Sequence, residues 1–433
     1  MGTGGNMRRV LIGLLLACAV TVAGPRAAAA AQESNDAVLG RLVKEALDNN
    51  PGLEAAAKRA LAAEKAVSPA GVLPDPQITL GAMNLPVNSF SFEQEPMTGK
   101  LVSLMQMIPF PGKLGLAEDM ARDDAAAAGF QREEVRNQVA AMVKRAYFDL
   151  YAVDRSRETV EQNKALMEQF VRVAETKYAT GSGLQQDVLR AQVELSKLED
   201  DLVMWSQKRL AAAARLNALL NRPAGSPFEI TPAELSLPEG PPPATSSESV
   251  EARRPLLLAL KERLEKADSA VKLAGRDYWP NFTLGASYAQ RDNLANGAVQ
   301  HDFFSATISL NIPLHRKRRL AARVAERELD RAAVSADYRN ALAGVMAEVD
   351  TLGAELDRNR KRVDLFEGGI LIQARQSLES AQAGYQVGKV DFLTLINNWM
   401  MVQNYELQYF SALADYRKAL AAFEFATGAG TGE

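Results

Sequence analysis

The chain contains itself twice. Residues 76–82 read PQITLGA and residues 280–286 read PNFTLGA, 204 positions apart. Downstream, MIPF at 107–110 answers NIPL at 311–314 at the same offset, and upstream Pro51 answers Pro255. A Tyr-x-x-Gly pattern recurs at Tyr178–Gly181 and Tyr385–Gly388, with the offset grown to 207. One register held over so long a span marks a duplicated unit, so the fold of the first half must serve again in the second.

Each copy carries two stretches that alternate. In the second, Phe282, Leu284, Ala286 and Tyr288 take one face and Asn281, Thr283, Gly285 and Ser287 the other. Further on, Phe304, Ala306, Ile308, Leu310 and Ile312 oppose Ser305, Thr307, Ser309 and Asn311. The first copy sets Ile78, Leu80 and Ala82 against Gln77, Thr79 and Gly81. It then sets Val102, Leu104 and Ile108 against Ser103, Met105 and Met107. A period of two is a strand, and about ten residues is the length of a strand that crosses a membrane. One such hairpin also suits a soluble, half-buried sheet. Four strands, at about 76–85, 100–110, 280–290 and 302–313, stand among very long helices, and that context favours the membrane.

The helices are read from composition and period. Between Lys113 and Thr180 there is no proline, and the only glycines are Gly115 and Gly129. Ala, Glu, Arg, Lys, Gln and Leu dominate, so a rod of about 100 Å is expected. Another helix is expected from about 184 to 220. Before the first hairpin an amphipathic helix starts near Leu39 and, despite Pro51, resumes to about Val67. The second repeat predicts helices at about 252–276, 316–383 and 391–426. Repeat 1 thus spans 36–221 and repeat 2 spans 251–428. Between them, 222–250 is rich in proline, with Phe228, Ile230, Leu235 and Leu237 as candidates to pack on the rods. The tail at 429–433 is expected to be disordered.

At 433 residues and a formal net charge of −3, nothing points to a nucleic-acid partner. Arg8 and Arg9 precede an apolar run at 10–24 and five alanines at 27–31, so residues 1–31 read as a secretory leader. Cys18, the sole cysteine, sits in a Leu-Leu-Ala-Cys box that loosely resembles a lipoprotein cleavage site; the alanines offer an ordinary one instead. No later segment supplies about 18 uninterrupted apolar residues for a membrane helix. No nucleophile motif or phosphate loop stands out, so the chain is expected to be no enzyme and to need no cofactor. The only histidines, His301 and His315, have no thiol near them in a metal-ligand spacing, and no metal site is expected. Met105, Met107, Met400 and Met401 read as core or lipid-facing filler.

Four strands cannot close a barrel, for which about eight are needed. Hydrocarbon does not tolerate open edges, because unpaired amides there cost several kcal/mol each. If these strands enter a bilayer, sister chains must pool them, and three copies give an even-numbered, wet-lumened barrel of about twelve.

The α–β–β–α–α duplication, Arg253-Arg254-Pro255, the Tyr-x-x-Gly turns and Asp187-Val188-Leu189-x-Ala191-Gln192 resemble the TolC-type outer-membrane efflux proteins over essentially residues 36–428. LPDPQ at 73–77, Asn84-Leu85-Pro86 and QMIPFPGK at 106–113 are similar to the heavy-metal (cobalt-zinc-cadmium and copper-silver) branch. The resemblance implies a mainly α fold with a membrane β-barrel. In it a homotrimeric, twelve-stranded outer-membrane barrel continues into a periplasmic α-helical barrel, in a Gram-negative cell. Its implied partners are copies of itself, a periplasmic adaptor (membrane fusion) protein, an inner-membrane resistance-nodulation-division (RND) pump and outer-membrane lipid. The implied function is a passive exit duct for heavy-metal cations. Drug efflux and type I protein secretion are alternatives within that class, and a periplasmic coiled-coil adaptor or scaffold is the alternative outside it. At the helical tip, Gly181, Gly183, Gly388 and Lys389 are the expected adaptor-contact turns. Asp187, Asp391, Thr394 and Asn397 are the expected lining of the entrance, though Asp391 also suits a helix cap. Tyr178 and Tyr385 are expected to pack beside the turn glycines.

Overall fold

The computed structural model describes residues 35–228, 235–238, 240 and 245–429. The leader with Cys18, Ile230 and residues 430–433 of the tail lie outside the described residues.

The duplication is visible as two runs of the same elements. The first is α1 (Asn35–Asn49), α2 (Pro51–Ala70), β1 (Gln77–Met83), β2 (Gly99–Ile108), α3 (Lys113–Ala179) and α4 (Gln185–Leu219). The second is α5 (Ser247–Arg253), α6 (Pro255–Arg276), β3 (Phe282–Gln290), β4 (Phe303–Leu310), α7 (Ala321–Leu365), α8 (Leu371–Gln386) and α9 (Phe392–Thr427).

Pro51 and Pro255 each split what the periodicity reads as one helix. Both sit in the first turn of the following helix, where a missing N–H costs no hydrogen bond. Asn50 caps α2 by accepting from Gly52 N and Leu53 N at 2.9 and 3.3 Å. Pro69 is accommodated in the last turn of α2 rather than ending it earlier, since only one bond is lost there. The residue before each proline also ties its repeat shut. Asn50 Nδ2 donates to Leu219 O near the end of α4 at 3.2 Å. Arg254 donates to Phe425 O near the end of α9, lies 3.8 Å over the Phe425 ring, and pairs with Glu134 of α3 at 2.7 Å.

The four strands form one antiparallel sheet in the order β1-β2-β3-β4. Its register lines up Ile78, Leu104, Ala286 and Ala306 in one row, and Leu80, Val102, Tyr288 and Phe304 in the next. The alternate rows are Thr79, Ser103, Ser287 and Ser305, then Gln77, Met105, Gly285 and Thr307. Because directly paired residues share a face, the apolar sides of both hairpins fuse into one surface and the polar sides into the other. Met105 and Met107 fall on the polar face, opposite Gly285 and Thr283, so these two do not belong to the apolar surface where filler is expected. Since Ile108 pairs with Phe282, every helix leaves the sheet at the same end.

α3 runs unbroken for 67 residues and packs against α2, α4, α6 and α9. Tyr147, Leu150 and Tyr151 of α3 are buried with Leu216, Val363 and Leu413, and Phe228 and Leu235 of the proline-rich segment join that cluster. A second cluster nearer the tip holds Phe170, Leu198, Leu378, Phe392 and Trp399. The helix expected over 316–383 instead opens on a π-helical turn at Arg316–Leu320 and is interrupted by another at Phe366–Ile370. Gly368 and Gly369 fall in the second, where their weak helix propensity lowers the resistance to a wider turn. Repeat 1 has no such break in α3.

Arg254 and Glu134 are 4% and 18% exposed, so removing one leaves the other charge stranded. Arg254→Ala is expected to destabilise the protein by about 3–5 kcal/mol, read as a fall in thermal midpoint. Arg254→Lys should recover only part, because an ammonium cannot reproduce the planar fork and ring stacking.

Candidate functional site

At the end of the helices far from the sheet, both hairpins close in the same way. Gly181 and Gly388 take φ of +70° and +73°, the left-handed conformation open to glycine at little cost. Gly181 N donates to Tyr178 O at 3.0 Å and Ser182 N to Lys177 O at 2.8 Å. In the second repeat Gly388 N donates to Tyr385 O at 3.2 Å and Lys389 N to Gly384 O at 2.8 Å. This is the Schellman ending of a helix, and it explains the Tyr-x-x-Gly spacing: the tyrosine carbonyl receives the bond and the glycine makes the turn. Two equivalent positions touch across each turn, with the small residue exchanged. A Cβ at Gly183 would lie 2.9 Å from Lys177 Cβ, and one at Gly384 would lie 2.5 Å from Val390 Cγ2. Gly384 was not legible from the sequence pattern, since its counterpart in repeat 1 is Lys177.

The tyrosines part company. Tyr385 is 5% exposed, packs its ring against Phe392 at 5.4 Å, and has Lys177 Nζ 4.9 Å above it. Tyr178 is 50% exposed, so the packing role expected of both belongs to Tyr385. The reason is direction: Tyr385 points into the cluster shared with α3 and α9, whereas Tyr178 points away from it.

The tip brings Asp187 of α4 within electrostatic reach of Asp391 and Tyr385 from the other repeat. Burial pushes the Asp187 carboxyl above the ordinary aspartate range, a backbone hydrogen bond at Leu184 opposes, and the Asp391 charge adds to the rise. The Tyr385 hydroxyl is pushed up to about 12 by burial and by Asp187. Asp391 caps α9, accepting Thr394 N at 2.8 Å, and hydrogen bonds to Thr394 hold its carboxyl below the usual range. Thr394 and Asn397 are exposed on the first turns of α9. Gly181, Gly388 and Lys389 are exposed in the turns and Gly183 is half-buried. His301 and His315 are exposed beyond opposite ends of β4. Among the described residues no helix is long and apolar enough to cross a membrane.

The model of the outer membrane efflux protein family matches residues 42–222 and 247–429. The chain belongs to that family. It is 28% identical to the outer membrane efflux protein BepC of Brucella suis over 366 residues, covering 80% of this chain and 76% of BepC. It is 23% identical to the pyoverdine export outer membrane protein OpmQ of Pseudomonas putida, covering 83% and 79%. It is 20% identical to the cobalt-zinc-cadmium resistance protein CzcC of Cupriavidus metallidurans, covering 88% and 87%. Among solved structures, the outer membrane protein VceC of Vibrio cholerae superposes with a TM-score of 0.77 at 20% identity, over 92% of this chain and 97% of VceC. The outer-membrane channel OprN superposes with a TM-score of 0.78 at 18% identity, over 90% of each chain. The protein is an outer-membrane efflux channel with the mainly α fold of that class. The family is one of transport ducts.

A carboxyl raised on folding contributes stability below the ordinary aspartate value and loses it as pH climbs through the raised one. Hydrogen exchange at 181–187, corrected for intrinsic rates, should therefore show the wild-type tip loosening across that acid window. Asp187→Asn should flatten the response.

Proposed function

We propose that three copies of this chain assemble into an outer-membrane exit duct that carries cargo passively from an inner-membrane RND pump and its periplasmic adaptor. The observation that carries this reading is the sheet: one face predominantly apolar, interrupted in its middle rows by Gln106 and the Tyr288 hydroxyl, the other rich in Ser, Thr and Gln, and unpaired edges at β1 and β4. Such a sheet is stable in hydrocarbon only when closed. Three copies supply twelve strands, with the polar face turned to a wet lumen. The helices support the same assembly. Along α4, Leu189, Val193, Ser196, Asp200, Val203, Gln207 and Leu210 are all exposed and alternate in steps of four and three, the spacing of a coiled-coil seam without its partner. A neighbouring subunit supplies that partner.

The duct sits in the outer membrane of a Gram-negative cell with its helices in the periplasm. Gly181, Gly183, Gly388 and Lys389 at the exposed turns form the adaptor contact. Asp187, Asp391, Thr394 and Asn397, three times over, line the entrance and favour cations. The proposed cargo is heavy-metal cations, supported by the acidic tip and by similarity to CzcC along most of both chains. The similarity to a pyoverdine exporter favours a second reading, an organic cargo. Loss of the gene should sensitise cells to divalent metals on the first reading and leave metal tolerance unchanged on the second.

Two measurements test the duct itself. In planar bilayers the wild-type channel should prefer cations, and Asp187→Ala with Asp391→Ala should move the cation-to-anion permeability ratio towards one; an unchanged ratio removes the entrance assignment. On the sheet, Ile308→Arg places a charge on the lipid face and should cost about 2–4 kcal/mol if it lies near the bilayer midplane, seen as failed membrane assembly. Thr307→Arg, on the lumen face, should still assemble.

A further inference from the structure

Just past β4 the second repeat carries a feature that the first lacks. His315-Arg316-Lys317-Arg318-Arg319 stands where the first repeat has Pro111-Gly112-Lys113-Leu114-Gly115 at the same offset. The lone cation of the first set is paired: Lys113 Nζ lies 2.9 Å from Asp277 and 3.1 Å from Asn281 Oδ1. In the second set Arg316, Lys317, Arg318 and Arg319 are all exposed, and among the described residues none has a carboxylate within ion-pair distance. Asp277, at the same end of the sheet, is already shared by Lys113 and Arg323, at 2.9 and 3.6 Å.

Local helix energetics do not account for these charges. They occupy the N-terminal end of the rod that continues as α7, with no acid in that turn. A helix N-terminus disfavours cations, because it carries the positive end of the macrodipole. Leu320 alone of the π-helical turn is buried, so the turn is anchored by one side chain and presents the rest outward.

Position supplies the second observation. Ile312 and Leu314, 70% and 81% exposed, continue the apolar alternation of Phe304, Ala306, Ile308 and Leu310 up to the basic turn. At the same end of the sheet Phe110 stacks on Trp279 at 5.2 Å, and Trp279 is more than half exposed. An apolar band, then an aromatic pair, then unpaired cations is the order met on crossing from hydrocarbon to head groups. Guanidinium groups bind phosphate oxygens in pairs, and long basic side chains reach out from an apolar surface to do so.

We propose that Arg316, Lys317, Arg318 and Arg319 form a docking surface for anionic phospholipid head groups in the leaflet on the helical side of the barrel. This rests on the membrane reading of the sheet. Each subunit then presents one basic patch and one neutral proline-glycine corner, so the rim of the assembly alternates between them. Anionic lipid neutralises the patch, offsets the unfavourable dipole placement and holds the start of α7 at a fixed depth.

The test is lipid retention by the purified, assembled channel offered equal phosphatidylglycerol and phosphatidylethanolamine of matched acyl chains, counted by native mass spectrometry. Wild-type protein should retain phosphatidylglycerol in preference by about tenfold or more, since each basic residue near an anionic surface adds appreciably to the attraction. The Arg316→Gln, Lys317→Gln, Arg318→Gln, Arg319→Gln variant should lose most of that preference while keeping wild-type conductance. Arg122→Gln with Arg327→Gln, on cations already paired with acids, should keep it. Should the quadruple variant not assemble, the two double variants (Arg316→Gln with Lys317→Gln, and Arg318→Gln with Arg319→Gln) should each show a partial loss. No preference in the wild type, or an undiminished one in the variants, overturns the proposal. So does competition by millimolar inorganic phosphate equal to that by lipid, which would mark a simple anion site. Absence of conductance in the wild type is a different failure, that of the duct.

Discussion

Backbone amides without partners are intolerable in hydrocarbon, and this chain ends its sheet with two rows of them, on β1 and on β4. Everything else about the molecule is consistent with that shortage being met by other copies. The apolar rows are exposed rather than packed on a core, with Ile78, Leu80, Phe304 and Ile308 all more than two-thirds accessible in the single chain. The helices carry the folding core instead, in clusters built around Tyr147 and Tyr151, around Trp399, and around Leu257 and Tyr416. In the proposed assembly the burden is divided: soluble-type packing stabilises the subunit, and closure of the sheet is left to neighbouring copies.

Duplication supplies pseudo-equivalent parts, and the two copies then diverge where they meet different surroundings. The proline corners close both repeats, yet Asn50 does so with one amide bond and Arg254 with a cation that also pairs Glu134 and covers Phe425. Burial pushes the Glu134 carboxyl up even though Arg254 pulls it down, which shows how far desolvation opposes the pair it joins. The long helix after the hairpin is continuous in repeat 1, whereas in repeat 2 it opens on one π-helical turn and is interrupted by another. At the tip the tight contact keeps its place and trades its glycine, Gly183 in one copy and Gly384 in the other. The same two-residue crowding satisfies the same turn from opposite sides.

The candidate entrance was only partly legible. Asp187 and Asp391 were readable as tip acids because a Schellman glycine announces the turn and a short polar residue announces the next helix. Their mutual influence was not, because it joins residues from two repeats whose sequence separation says nothing about distance. Tyr178 and Tyr385 look identical as letters, and which one is buried depended on the third element packed against it. The methionines at 105 and 107 lie on the polar face, where alternation with Val102, Leu104 and Ile108 puts them although hydrophobicity alone assigns them to lipid or core.

By itself the sequence determined the duplicated plan, the strand faces, the turn glycines and the length of the unbroken rod, because each follows from local period and local backbone preference. Tertiary structure decided how the hairpins align into one sheet, how Asn50 and Arg254 tie each repeat shut, which tyrosine of the tip is buried, and which tip residues share a field. Those are outcomes of contacts between distant segments, and no local pattern encodes the distance between two side chains that a fold brings together.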